Sequence, residues 1–341
     1  MLEKILKLKN IIKDIDEVTL ITHKNADPDA IASIIALNKL IKHINPKIIV
    51  HISLPEGLSG VSKKLLNAFN LTIEAESDII GNVVIIVDTS SSYQLGLLRD
   101  KVLEKKIILI DHHTAGDLVN KAYLSIIDKN ASSTAEIVYK MIKTLGVELN
   151  ANELSIVLSG IVYDTRHFIL AKPETLIIAA DLMLKGADYK KVLNSMYIPP
   201  TISEKIAKIK AALRMQAYRL KDIIVILTRI GAFEASVARS LIDVGADVVF
   251  VVCKRKNETR LIARASQSFK ELTKIHLGKD VLEQLKKYFP QGSGGGHDLA
   301  GGFTGIADPD LLLNTAFKVL VDKLVERKII GYDDVEKITL E

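Results

Sequence analysis

Residues 82–113 read NVVIIVDTSSSYQLGLLRDKVLEKKIILIDHH, and two features of this stretch decide the fold. Its apolar runs, VVIIV and IILI, are short, rich in β-branched residues and continuous rather than alternating, the pattern of strands buried on both faces of a parallel sheet. Each run ends in an aspartate, Asp88 and Asp111. The pattern extends outward in both directions. EVTLITH (17–23), KIIVHISL (47–54) and AYLSIID (122–128) are further runs of the kind, separated by helical patterns. Such alternation predicts βαβ units. Four of the five runs end in or beside residues able to carry chemistry: His23, Asp88, the trio Asp111, His112 and His113, and Asp128. Ligands of open α/β sheets bind at the carboxyl ends of the strands, where these residues fall. Strand-stopping by polar residues accounts for one such case, hardly four.

Downstream, STAEIVYKMIKTLG (133–146) and NELSIVLSGIVYDT (152–165) read as helices, the second carrying Asp164 at its end. Residues 172–212 read as further helices broken at Pro199 and Pro200. A second α/β pattern follows. DIIVILTRI (222–230) is a strand, FEASVARSLIDVG (233–245) a helix closed by glycine, and ADVVFVVCK with TRLIARASQ a hairpin-like pair. DVLEQLKKYF (280–289) reads as a helix, GSGGGHDLAGG (292–302) as a glycine-rich turn, and DLLLNTAFKVLVDKLVERK (310–328) as a long last helix. The expected architecture is an α/β catalytic domain over 1–190 with a Rossmann-like parallel sheet, a helical connector over 191–215, and a smaller α/β domain over 216–341.

The 341 residues are 48% hydrophobic and 26% charged, which excludes disordered and collagen-like chains. Asp88, Asp164 and Asp247 interrupt the most apolar stretches, so no membrane span is expected. The opening MLEKILKLKNIIKDIDE mixes acids with lysines and lacks a small-residue cleavage site, so it does not read as a signal peptide and a cytoplasmic location is expected. The single cysteine, Cys253, excludes an internal disulfide and a thiolate metal cluster. A net charge of +5 favours anionic partners mildly.

HKNADPD (23–29) places His23, Asp27 and Asp29 at the end of the first strand. Asp88 opens a strand mouth into hydroxyl residues, where a buried carboxylate is costly unless paired or metal-bound. Adjacent histidines on an extended chain face opposite ways, so His112 can bind a metal while His113 faces substrate or packs behind. With Asp164 the inventory is four carboxylates and two imidazoles, a donor set suited to Mn²⁺, with Mg²⁺, Co²⁺ or Zn²⁺ as substitutes. Six donors exceed what one ion with open positions needs, and two ions sharing a carboxylate fit better.

In this order, His-x3-Asp-x-Asp, strand-Asp, Asp-His-His and Asp-Thr, the motifs resemble those of the DHH phosphoesterases, and GSGGGHDLAGG resembles the signature of their associated DHHA1 domain. The two-domain length is most similar to the nano-RNase and phosphoadenosine phosphate phosphatase branch, which includes archaeal RecJ-like nucleases. The resemblance implies a first ion on His23 and Asp27, a second on Asp29, His112 and Asp164, and Asp88 bridging them as the central catalytic carboxylate. Asp111 and His113 would stand behind the ligands or face substrate. Two departures are Ala26 where relatives often carry proline, and Arg166 with His167 where many carry glycine after Asp-Thr.

The same resemblance makes Gly294, Gly295, Gly296 and His297 substrate contacts in a loop that closes over the metals, with Arg264 as a phosphate contact. The implied activity is metal-dependent exonucleolytic hydrolysis of short single-stranded RNA or DNA to nucleoside 5′-monophosphates. Phosphoadenosine phosphate 3′-phosphatase and cyclic or linear dinucleotide phosphodiesterase are the alternatives. A non-catalytic scaffold is the reading from another class, disfavoured because every implied ligand is present. The sequence leaves an oligomer open.

Overall fold

The computed structural model describes residues 1–76, 78–113 and 116–339. The chain folds into two compact units, Met1–Ile198 and Pro199–Glu341. The division falls inside residues 191–215, so the helices of that stretch are shared out between the units.

The first unit runs α1 (Leu2–Lys13), β1 (Glu17–Ile21), α2 (Pro28–Ile44), β2 (Ile49–Ser53), α3 (Gly60–Ala68), β3 (Val83–Val87), α4 (Arg99–Leu103), β4 (Lys106–Asp111), β5 (Leu124–Ile127), α5 (Thr134–Leu145), α6 (Ala151–Asp164), α7 (Pro173–Leu184) and α8 (Tyr189–Met196). All five strands are parallel, in the order β2-β1-β3-β4-β5. The continuous apolar runs are explained by burial on both faces. Val83, Ile85 and Val87 join Ile108 and Ile110 in the core under α1, α2, α5 and α6. Val84, Ile86, Ile107 and Leu109 pack with Leu95, Val102 and Leu118 on the opposite face. Each such side chain contributes about 1.5–3 kcal/mol by leaving water.

Local signals fix the helix ends around the site. Asp27 caps α2 ahead of Pro28, Ser133 caps α5, and Gly146 closes α5 at φ 68°. Asn150 and Glu153 form a capping box at the start of α6, whose last residue is Asp164. The chain leaves β1 toward β2 on one side and returns to β3 on the other, so the crevice of a switch point opens between the carboxyl ends of β1 and β3. His23 and Asp88 follow those two ends.

The second unit runs α9 (Ile202–Arg214), β6 (Gln216–Leu220), β7 (Ile223–Ile230), α10 (Glu234–Val244), β8 (Val248–Arg255), β9 (Glu258–Ala265), α11 (Gln267–Thr273), β10 (Ser293–Gly296), β11 (Ala300–Gly305), α12 (Pro309–Glu326) and β12 (Val335–Ile338). Its mixed seven-stranded sheet has the order β10-β11-β9-β8-β7-β6-β12, with β7 and β8 parallel and the other pairs antiparallel. On one face α12 packs Leu312, Ala316 and Leu320 against Val225, Phe250 and Leu261. On the other, α10 brings Val237, Ala238 and Leu241 against Val249 and Val251.

Two local expectations are corrected here. The glycine-rich stretch is a β-hairpin, with Gly294 opposite Phe303 and Gly296 opposite Gly301. Its glycines make room for the Phe303 ring, since a Cβ on Gly292 or Gly294 would lie 2.2 or 2.6 Å from ring atoms. Residues 280–289 form no regular α-helix. A π-helical turn, Leu277–Leu282, passes into a 3-10 turn, Glu283–Lys287, and Gly278 presses against the Gly296 carbonyl, where a Cβ would stand 2.5 Å away. Among the described residues no helix is long and apolar enough to cross a membrane.

Candidate metal centre

The crevice between β1 and β3 gathers every side chain that the sequence nominates as a metal donor. Donor atoms of His23, Asp27 and Asp88 lie within 4.8 Å of one another, as do those of Asp29, Asp88, His112 and Asp164. Asp88, His112 and His113 form a third such group, and Asp88 is common to all three. His23 Nε2 is 3.7 Å from Asp27 Oδ1 and 3.5 Å from Asp88 Oδ2, while His112 Nε2 is 3.1 Å from Asp164 Oδ2 and 3.7 Å from Asp88 Oδ1.

Backbone geometry aims these groups. Asp88 adopts φ 62°, a left-handed conformation that costs a non-glycine residue about 1 kcal/mol or more, and its N–H donates to the Ile110 carbonyl at 3.1 Å. The strand therefore ends in a turn that swings the Asp88 carboxylate into the crevice. Asp29 is fully buried in the first turn of α2 and accepts the N–H groups of Thr134 (2.7 Å) and Ala135 (2.8 Å), so the amino end of α5 fixes both of its oxygens. The Thr134 hydroxyl donates to Asp88 Oδ1 at 2.9 Å. Gly160 on α6 allows this closeness, since a Cβ there would stand 2.9 Å from Asp29 Oδ1.

Electrostatics show what the cluster lacks. Burial, then the charges of Asp88, Asp164 and Asp27, push the Asp29 carboxyl well above the ordinary carboxylate range. Burial likewise raises Asp88, with Asp27 and Asp164 adding to the effect and His23 opposing it. Burial would depress His23, but Asp27 and Asp88 outweigh it and raise the imidazole to about 10. His112 Nε2 is buried without a hydrogen-bond partner although it points among carboxylates. Crowded carboxylates, an orphaned imidazole nitrogen and no thiolate fit hard or borderline divalent cations, which reverse this repulsion. The residues present therefore fit two such ions.

Asp111 is fully buried at the end of β4, and its Oδ1 meets His113 Nδ1 at 2.8 Å. That contact comes first in raising His113 to about 9. The His113 ring tilts against His112 at a centroid distance of 4.2 Å and is half exposed. His23, Asp27, Asp88, Asp164 and His113 line a cavity of about 430 Å³ together with Thr89, Ser90, Ser91, Gln94 and Gly116. Arg166 and His167 lie in a left-handed turn, φ 49° and 59°, just beyond Asp164. Sequence reading missed Thr134, Ala135 and Gly160, whose letters signal only a helix start and a small residue.

A profile of the DHH family's N-terminal domain matches residues 17–161. An uncharacterized protein of Methanocaldococcus jannaschii is 34% identical over 319 residues, covering 93% of this chain and 95% of the relative. The chain belongs to the DHH family. As a DHH-family phosphoesterase it also resembles a probable bifunctional oligoribonuclease and PAP phosphatase of Streptococcus mutans, at 28% identity over 59% of this chain and 62% of that protein. The cyclic-di-AMP phosphodiesterase GdpP of Bacillus subtilis is 30% identical over 60% of this chain, which spans 33% of the length of that protein. Among solved structures, an exopolyphosphatase-related protein from Bacteroides fragilis superposes with a TM-score of 0.62 at 17% identity, over 96% of this chain and 98% of that one, a likeness of fold.

The second unit holds the remaining nominated residues. Arg264, half-buried on β9, pairs with Ala300 on β11, and the Ala300 carbonyl accepts the N–H of exposed His297 at 2.7 Å. Arg264 and His297 thus flank the same residue of the glycine hairpin. Gly295 is the open position on β10, the nearest atom to a Cβ there being Glu283 Oε1 at 3.8 Å.

Proposed function

We propose that this phosphoesterase hydrolyses short oligonucleotides exonucleolytically, releasing nucleoside 5′-monophosphates, with two manganese ions at the crevice. The observation that carries the reading is the sharing of Asp88 between the donor group of His23 and Asp27 and that of Asp29, His112 and Asp164. His23 and Asp27 would hold one ion, Asp29, His112 and Asp164 the other, and Asp88 both. When bound, such ions supply an activated water at neutral pH and neutralise charge on the phosphoryl oxygens.

The chain's own residues do the rest. Asp29, fixed by the amino end of α5, and Asp88, fixed by Thr134, keep the donor groups in place without reorganisation. Attack on phosphorus breaks the bond to the 3′-oxygen, which needs a proton as it leaves. His113 can donate it from Nε2, because Nδ1 is engaged by Asp111 and the ring is half exposed at the cavity. The Ser and Thr residues of the cavity orient rather than attack, since the scheme requires no covalent intermediate. Arg264, His297 and the glycines 294 to 296 are proposed as substrate contacts.

The resemblance to a probable oligoribonuclease and PAP phosphatase supports this substrate class and names its rival. The test is chromatographic product analysis with Mn²⁺ against a dinucleotide, a longer single strand, a cyclic dinucleotide and phosphoadenosine phosphate. Preferential release of 5′-monophosphates from the dinucleotide is expected. Preferential release of inorganic phosphate from phosphoadenosine phosphate would overturn the reading in favour of the phosphatase.

A further inference from the structure

Next in the chain to two residues that line the metal cavity, His23 and Gln94, stand two side chains to which the mechanism above assigns nothing. Tyr93 lies in the 3-10 turn Ser92–Leu98 that follows β3, and 72% of it is exposed. Its chain neighbour Gln94 lines the cavity. Lys24 immediately follows His23, another residue of the cavity lining, and the Lys24 N–H donates to the Gln94 carbonyl at 2.8 Å. That bond ties the end of β1 to the turn after β3. The Lys24 ammonium sits 4.3 Å from the centroid of the Tyr93 ring, and among the described residues it has no carboxylate partner.

We propose that Tyr93 and Lys24 form a nucleotide-reading rim, with the Tyr93 ring stacking the nucleobase next to the scissile phosphate and the Lys24 ammonium contacting a non-bridging phosphate oxygen. This rests on the oligonucleotide reading above. The physical case has three parts. A large exposed aromatic stands next in the chain to Gln94 of a polar, acid-lined cavity, and at its exposure it contributes little to the core. Every nucleobase offers a π-face, so stacking on a tyrosine is tolerant of sequence, as a degrading enzyme requires. A cation held over that ring, beside an acidic site, offsets the repulsion that the four carboxylates exert on an incoming phosphate. The backbone bond between Lys24 and Gln94 sets base platform and phosphate contact at a fixed spacing from His23.

The test compares three ligands of the Mn²⁺-loaded protein: a dinucleotide, the same dinucleotide lacking both bases, and a non-hydrolysable dinucleotide with a methylene in place of the bridging 3′-oxygen. Tyr93→Ala is expected to lower kcat/KM on the dinucleotide about five- to a hundred-fold, and to weaken calorimetric binding of the non-hydrolysable ligand by a similar factor. It should leave turnover of the baseless compound within about twofold, and Tyr93→Phe should keep dinucleotide activity. Lys24→Met should lower kcat/KM on both cleavable compounds, by roughly tenfold. Equal losses on the two compounds in Tyr93→Ala, or none on either, would overturn the base platform while leaving the oligonucleotide reading intact. Wild-type protein that releases no monophosphate from the dinucleotide would remove that reading and the rim with it. Thermal melting of each variant separates these results from a failure to fold.

Discussion

The Thr134 hydroxyl donates to Asp88 Oδ1 at 2.9 Å while the Thr134 N–H, 2.7 Å from Asp29 Oδ2, holds the second buried carboxylate. One residue at the amino end of α5 thus orients two carboxylates that belong to the same donor group. Thr134→Val keeps the shape and the N–H but removes the hydroxyl. It is expected to lower kcat about ten- to a hundred-fold, the range for a group that orients a ligand, with Thr134→Ser restoring most of it. Steady-state kinetics at saturating Mn²⁺ check this. A valine variant as active as wild type would show that Asp88 needs no such support.

Asp88 should show opposite effects on activity and on stability. Asp88→Asn removes a buried negative charge set among Asp27, Asp29 and Asp164, so in the presence of a chelator the variant is expected to melt higher than wild type, by roughly 2–4 °C for each kcal/mol of repulsion relieved. The same change should abolish hydrolysis, as should Asp88→Ala. Melting curves with and without Mn²⁺, beside turnover, test both halves. An asparagine variant that keeps more than a tenth of wild-type turnover would sink the shared-ligand assignment.

Gly160→Ala sets two effects against each other. Alanine is the better helix former by about 0.8–1 kcal/mol. Its Cβ, however, would lie 2.9 Å from both Asp29 Oδ1 and the Ala32 Cβ, closer than real contacts allow, and overpacking of this kind costs about 1–3 kcal/mol. The variant is therefore expected to be less stable than wild type and to bind the second ion more weakly, as elemental analysis and calorimetry would show. A more stable variant with full metal content would mean that α6 shifts freely.

How much of this was legible beforehand depended on the kind of signal. β1, β3 and β4 are short runs rich in Val, Ile and Leu buried on both faces, and such runs survive any tertiary context. His23, Asp88 and His112 stood just after strand ends, where sheet topology brings them together, while Asp27 and Asp29 open α2 and Asp164 closes α6. By contrast β6, QAYRL, and β12, VEKI, are partly exposed and mix charge with apolar residues, so no periodicity marks them. β10 is nearly all glycine, and its strand character comes from pairing with β11 and from the Phe303 ring, contacts that no apolar pattern within the stretch announces. Thr134 and Gly160 act through tertiary approach, which a single sequence does not display.

Without metal the first unit should lose stability as pH rises above neutrality. The folded-state values of His23, about 10, and His113, about 9, both exceed the ordinary 6.5. A raised imidazole contributes stability that is full below 6.5 and is lost as pH climbs through the folded value. Asp29 and Asp88 are raised carboxyls, which likewise favour the fold at lower pH. The lowered Asp27 opposes this only in acid, below the window. Chelated protein is expected to melt progressively lower between pH 6.5 and 10. A flat or rising melting temperature would contradict the charge arrangement described here.

The last prediction separates chemistry from grip. The metal donors all precede residue 165, whereas His297 is exposed at the glycine hairpin of the second unit, next to Ala300 and hence to Arg264. His297→Ala touches no donor, so both ions should remain, as elemental analysis would confirm. If His297 contacts the substrate, removing it forfeits a hydrogen bond to phosphate, about 1.5–3 kcal/mol when charge-assisted, or roughly ten- to a hundred-fold in kcat/KM on a dinucleotide. A small activated phosphodiester too short to reach the hairpin makes no such bond, and its turnover should barely change. Arg264→Ala should repeat the pattern, since the two residues flank one strand position. Steady-state kinetics on both substrates decides the matter. Equal losses on the two would mean that His297 acts on the reacting phosphate at the metals, and the assignment of chemistry to the first unit and grip to the second would have to be abandoned.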